Sequence, residues 1–399
     1  MRSRRERWRE MDSFIGRSVD VVAVQARHKR KMVVAAAVVV AVILCALLAF
    51  AGYHWFMNRE YSAYDVTNSV SVKNGASLKY AAYQGGVIRY DRDGVTAVSG
   101  KGEPVWSGSY DMASPRLDIC GESAVVADIG GKSLYIYKGG DTGVDFSVDY
   151  PIVQACVSNQ GVVAILMEEA ASNTIALYNP FDKSGKLLVE IPTNVEDGYP
   201  VSLDLSPDGT SVVASYLCVT TGAVQSRVAF YNFSEVGKNR NTMVGARNYN
   251  DTLISEVRFL DEDHACLFGE KGFYLWENMK KPELIRKREF DREIKGAFSD
   301  EEHVCVMLKK NEEQNDLILY DRKGEEMQSV TVDSALSHGQ VKGDEVIINS
   351  ATRCAVYRMN GVKKYEGALK SAISYIFPGK GMNRFILIQD SKIKFIKLK

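Results

Sequence analysis

Six cysteines recur through most of the chain: Cys120, Cys156, Cys218, Cys266, Cys305 and Cys354, at intervals of 36, 62, 48, 39 and 49 residues. Thiols that hold zinc or cycle between redox states are closely spaced, as in C-x-x-C, and this chain has no such pair. Each of the six sits in an apolar setting, as in Ala265-Cys266-Leu267 and Val304-Cys305-Val306. The expected role is that of a small hydrophobe packed in a core. No disulfide is expected, because cysteines on separate strands of a repeat rarely come within bonding distance. A seventh, Cys45, lies in an apolar run near the N-terminus.

The histidines are His28, His54, His264, His303 and His338. His264 and His303 each stand two residues before a cysteine, which reads as one position repeated rather than a metal site. No Ser-His-Asp context, phosphate-binding loop or H-E-x-x-H motif is present. Acidic groups are Glu168-Glu169, Asp261-Glu262-Asp263, Asp300-Glu301-Glu302 and Glu312-Glu313. The second and third precede comparable strands, so they could share one rim facing a cation or a basic partner. Asn232-Phe233-Ser234 and Asn250-Asp251-Thr252 match the glycosylation sequon, a pattern frequent by chance. No residue is assigned to catalysis, to a metal or to a cofactor, and the chain is not expected to be an enzyme.

The elements that would position these groups begin with Met32 to Gly52, 21 residues without a charge. As a helix this run is roughly 31 Å long, the thickness of a bilayer's apolar core. Residues 1–31 before it carry ten Lys or Arg and four Asp or Glu, a net +6 hidden in an overall net charge of zero. Basic residues flanking a span stay cytoplasmic, and Arg27-His28-Lys29-Arg30-Lys31 abut this one. Tyr53, Trp55 and Phe56 then fall at the outer interface. The run is longer than a signal-peptide core and is preceded by 31 residues, which favours a retained anchor over a cleaved leader. Trp8, Met11, Ile15, Val19 and Val22 recur every three or four residues, the pattern of a basic amphipathic helix on a membrane surface; a disordered tail that only sets topology is the rival. No nucleic-acid-binding motif accompanies the basic tail.

Beyond Asn58 the pattern is short runs of β-branched and aromatic residues between Gly, Asp, Asn and Lys turns, which predicts an all-β domain. One figure returns: an apolar strand, a turn, then a second strand ending in a large apolar residue before a polar turn. Val98, Tyr137, Tyr178, Tyr231, Trp276, Tyr320, Tyr357 and Ile396 mark it, with spacings of 39, 41, 53, 45, 44, 37 and 39. A period near 43 suits four short strands, one blade of a β-propeller. Eight markers predict eight blades, with seven as the second choice. The last marker lies three residues from Lys399, so the final blade lacks an outer strand. Asp65 to Val72 is expected to supply it and close the ring.

Gly86-Val87-Ile88-Arg89-Tyr90-Asp91-Arg92-Asp93-Gly94-Val95-Thr96-Ala97-Val98, followed by Lys101-Gly102-Glu103-Pro104-Val105-Trp106, resembles a quinoprotein-type (PQQ-like) propeller repeat. Ser206-Pro207-Asp208-Gly209 resembles a turn common to several propeller families. The whole arrangement resembles an uncharacterised Firmicutes family of membrane-anchored PQQ-like propeller proteins. That resemblance implies fold and anchoring but carries no site. Quinoprotein dehydrogenases set adjacent cysteines against their cofactor, and no two cysteines are adjacent here.

These readings assign 1–31 to a basic cytoplasmic tail, 32–57 to a transmembrane helix with its outer interface, 58–64 to a linker and 65–399 to an extracytoplasmic β-propeller. The expected protein is single-pass, held in the lipid bilayer of the cell membrane by its helix. It would act as a non-catalytic binding or scaffolding module for another envelope protein. The alternative is a small-ligand sensor or cofactor-dependent enzyme working in the propeller's central channel.

Overall fold

The computed structural model describes residues 4–72, 78–140, 142–170, 172–182, 187–193, 197–220, 223–234, 237, 242–389 and 392–399. Two compact units result, Met1–Arg59 and Glu60–Lys399.

The first is one helix, Arg4–Met57. Its Arg30–Met57 portion is long and apolar enough to cross a membrane, a criterion that a signal sequence near the N-terminus also meets. The helix ends where the Asn58 backbone N–H and side-chain amide both donate to the His54 carbonyl, at 3.1 and 2.9 Å. That leaves a terminal carbonyl satisfied. The backbone is helical across the expected Trp8–Val22 stripe, but those side chains lie outside the described residues.

The second unit is an eight-bladed β-propeller, eight separate four-stranded antiparallel sheets. Strands are lettered A to D within each blade, following the chain in blades 1–7. Blades 1 to 7 span residues 79–109, 115–147, 152–193, 199–249, 254–289, 294–333 and 338–368. Blade 8 takes strands A, B and C from Tyr375–Pro378, Arg384–Gln389 and Lys392–Leu398, and strand D from Tyr64–Ser71. Tyr64 pairs with Leu398 and Ser71 with Lys392, so the N-terminal strand closes the ring. Residues 58–64, expected as a linker, join the domain from Tyr61 on: its N–H donates to the Lys364 carbonyl at 2.8 Å.

All eight markers lie in strand C of their blades. In seven blades the C–D ladder slips by one residue at or beside the marker, as at Leu177/Tyr178 and Leu275/Trp276. The sequence period therefore follows a repeated β-bulge, which sharpens local twist. The long interval of 53 belongs to blade 4, whose B and C strands run ten residues each, Ser211–Thr220 and Ala223–Asn232.

Strands B and C are covered on both faces, which explains their unbroken apolar character. In strand B of blade 5, Ala265 and Leu267 pack toward blade 4 while Cys266 and Phe268 pack toward blade 6. Eight such clusters, one per junction between neighbouring blades, make up the core. Cys156, Cys266, Cys305 and Cys354 are buried in these clusters, and all seven cysteines are free thiols.

Candidate binding site at the channel mouth

Strand A is the innermost strand of each blade, and its unpaired edge borders the propeller axis. Three such strands matter most: Pro115–Cys120 of blade 2, Tyr199–Leu205 of blade 4 and Ile254–Phe259 of blade 5. Their channel-facing polar groups tie one blade to another. Asp118 Oδ2 accepts from the Val157 N–H at 2.9 Å, and Asp204 Oδ2 from the Phe259 N–H at 2.7 Å. Gln154 grips Leu203 twice, accepting from its N–H at 3.1 Å and donating to its carbonyl at 2.8 Å. Each bond satisfies a backbone group that no neighbouring strand reaches.

Where these strands turn into strand B, a cavity of about 880 Å³ opens on the axis. The turns are held by their own side chains. Asp261 Oδ1 accepts from the N–H groups of Asp263 and His264, at 2.9 and 2.8 Å. Asp300 Oδ1 does the same for Glu302 and His303, at 2.9 and 2.8 Å. In blade 4, Ser206 Oγ accepts from the Ser211 N–H at 2.9 Å, and Gly209 takes φ +71°, a left-handed conformation suited to glycine. The two acidic triplets expected to share a rim do so: Asp261, Glu262, Asp263, Asp300 and Glu301 all line this cavity. Glu168-Glu169 and Glu312-Glu313 lie elsewhere.

Arg258 is the central cation. Its Nε donates to Glu256 Oε1 at 2.7 Å, and Nη1 lies 3.9 Å from Asp118 Oδ1, three blades away. Burial raises the pKa of Asp204 to about 7; Arg258 pulls it down, Asp118 pushes it up, and two backbone N–H groups lower it. Burial also raises Asp118, against the Val157 N–H and Arg258. Burial works against the charge of Arg258, but Asp204, Glu256 and Asp118 more than offset it and keep the guanidinium protonated. The thiol of Cys120, donating to Asn159 Oδ1 at 3.2 Å, is pushed by burial to about 12. It stays protonated at neutral pH and is a poor nucleophile.

The histidines do not converge. His264 and His303 make the same contact in adjacent blades, Nδ1 to the carboxylate three residues earlier, at 2.9 and 3.1 Å. His338 opens strand A of blade 7. Asp300 raises the pKa of His303. Among the described residues, no three His, Cys, Asp or Glu side chains are grouped to hold a metal. Asn232 of the first sequon is buried, its amide donating to Ser211 Oγ at 2.9 Å. Asp118 and Arg258 were not singled out from sequence. Their one signal is a charge set between two apolar residues, as in Leu117-Asp118-Ile119 and Val257-Arg258-Phe259.

A propeller of Sqt1 from Chaetomium thermophilum, bound to the N-terminus of ribosomal protein L10, is similar at 10% identity and a TM-score of 0.53. The match covers 84% of this chain and 100% of that one. A eukaryotic initiation factor is similar at 10% identity and a TM-score of 0.50, over 83% of each chain. At such identities the likeness is one of fold. No curated protein matches the sequence. Residues 57–398 match the family of unknown function DUF5711, and the chain belongs to that family.

Proposed function

We propose that this protein is a membrane-anchored, non-catalytic binding platform, whose propeller holds a protein partner of the cell envelope at the channel mouth. The observation that carries this reading is the open cavity on the axis, with a rim of carboxylates on turns locked by their own hydrogen bonds. Preorganised polar groups lose little freedom on binding. Propellers of this fold hold protein segments, as Sqt1 holds the N-terminus of L10. The apolar helix anchors the chain, and its basic flank keeps the N-terminus cytoplasmic and the propeller outside.

The test is photo-cross-linking in intact cells from Glu262 and Glu301 at the mouth, with Glu313 on the B–C turn of blade 6, at the other end of its strands, as control. One protein recovered from both mouth positions and not from the control supports the platform. Recovery of no protein from the mouth overturns it.

A second reading is a small-ligand sensor or enzyme in the channel, favoured by the Asp118–Arg258–Asp204 arrangement in a cavity of this size. Native mass spectrometry of the purified chain separates the two: a retained small molecule lost in Arg258→Ala supports the sensor.

A further inference from the structure

Charge is unevenly spread over the propeller. Residues 353–399 hold eleven Lys or Arg against two Asp or Glu. Those on blade 7 and its seam are largely paired: Arg353 with Asp333 and Glu366, Lys363 with Glu60 and Glu366, and Lys364 with Glu345. On the turn edge of blade 8, Lys399 pairs with Asp65, the ladder partner of Lys397, at 2.8 Å. Lys380, Arg384 and Lys397 are exposed and make no ion pair among the described residues, and the same holds for Lys101 on the adjoining C–D turn of blade 1.

These four groups are brought together by backbone. Arg384 is the ladder partner of Lys397. The A–B turn is fixed at both sides, with the Lys380 N–H donating to the Gly85 carbonyl at 3.1 Å and the Leu398 N–H to the Asn383 carbonyl at 2.9 Å. Asn68 Nδ2 donates to the Lys101 carbonyl at 2.7 Å, holding that turn against blade 8. At the crest stands Met382, 71% exposed. Cations placed this way repel one another, so the arrangement stores a preference for an anionic surface. An apolar tip among them suits a layer with charged headgroups above acyl chains, rather than a soluble polyanion.

We propose that this edge of blade 8 docks on anionic lipid headgroups, with Lys101, Lys380, Arg384 and Lys397 reading the charge and Met382 entering the interface. The proposal rests on the anchoring reading above. Only Asn58, Arg59 and Glu60 separate the helix from Tyr61, which is fixed beside Lys364. The tether therefore meets the propeller at the seam of blades 7 and 8, and on blade 8 Ala63 and Lys399 exchange backbone hydrogen bonds at 3.3 and 2.9 Å.

The test uses the full chain in nanodiscs of phosphatidylcholine alone or with phosphatidylglycerol, carrying a photo-cross-linker at Met382. Lipid adducts are counted by mass spectrometry. Adducts are expected with phosphatidylglycerol and should fall as salt is raised. Each of Lys380→Gln, Arg384→Gln and Lys397→Gln should lower the docked-to-free ratio about fivefold. Equal adduct yield in both lipids, or none in either, overturns the proposal while leaving the anchor intact. Adducts to added polyphosphate in place of lipid assign the edge to a soluble polyanion and also overturn it. Loss of the chain from nanodiscs on alkaline washing overturns the anchor and the docking together.

Discussion

The junctions between blades and the mouth of the channel are built from the same sheets and obey opposite rules. At a junction, strands B and C meet neighbours on both faces, and residues such as Val163, Ile165, Val304 and Val346 are wholly buried. At the mouth, the inner edge of strand A borders an open cavity, and Asp118, Arg258 and Glu256 stand there with partial pairing. Apolar burial is proportional to area and indifferent to partner identity, so it tolerates any sequence that fills space. Charges at the mouth act through named partners, and their effects depend on pH and salt.

Substitutions can sharpen this contrast. Phe395→Ala, at the junction where the N-terminal strand closes the ring, should destabilise the domain by about 3–5 kcal/mol in chemical denaturation. Leu267→Ala, between blades 4 and 5, should cost about 2–5 kcal/mol. If either is neutral, the junctions are not the source of stability.

The mouth should respond to pH instead. Asp204 has a folded pKa of about 7, raised from 3.8. At this group the folded state keeps a proton that the unfolded state releases, so its contribution to stability falls as pH rises from about 4 through 7. Asp204→Asn should flatten that slope and stabilise the domain at pH 8. An Asp204→Asn variant whose stability follows pH over this window just as the wild type's does would sink the assignment. Arg258→Met should move the Asp204 titration, followed by carboxyl NMR, further upward, because Arg258 lowers it. His303 runs the same way for a different reason: Asp300 raises its pKa, so its contribution is present below about 6.5 and is lost as pH rises through the folded value. The smallest effect belongs to exposed pairs. Glu301→Gln frees Lys342 and should change stability by about 1 kcal/mol or less. A larger loss would mean the rim is structural.

Much of this architecture is legible because a propeller repeats. Tyr137, Tyr178, Tyr231, Trp276, Tyr320 and Tyr357 occupy one position, so even their spacing reveals four-strand blades. The interval of 53 was the exception, and the long hairpin of blade 4 accounts for it. The acidic triplets were legible as a shared rim because both sit in A–B turns. Asp118 and Arg258 were not, since they lie 140 residues apart in sequence and meet only because closure brings blades 2 and 5 across one axis.

By itself the sequence determined the apolar helix, the all-β pattern, the blade count and the strand that closes the ring. These follow from local periodicity and the need to bury apolar side chains and pair every strand edge. Tertiary structure alone decided which charges face the channel, which lie on the edge of blade 8 and which find partners. Strand alternation says that a side chain points one way or the other. Only ring closure says what stands opposite it, and Coulombic energies depend on that distance.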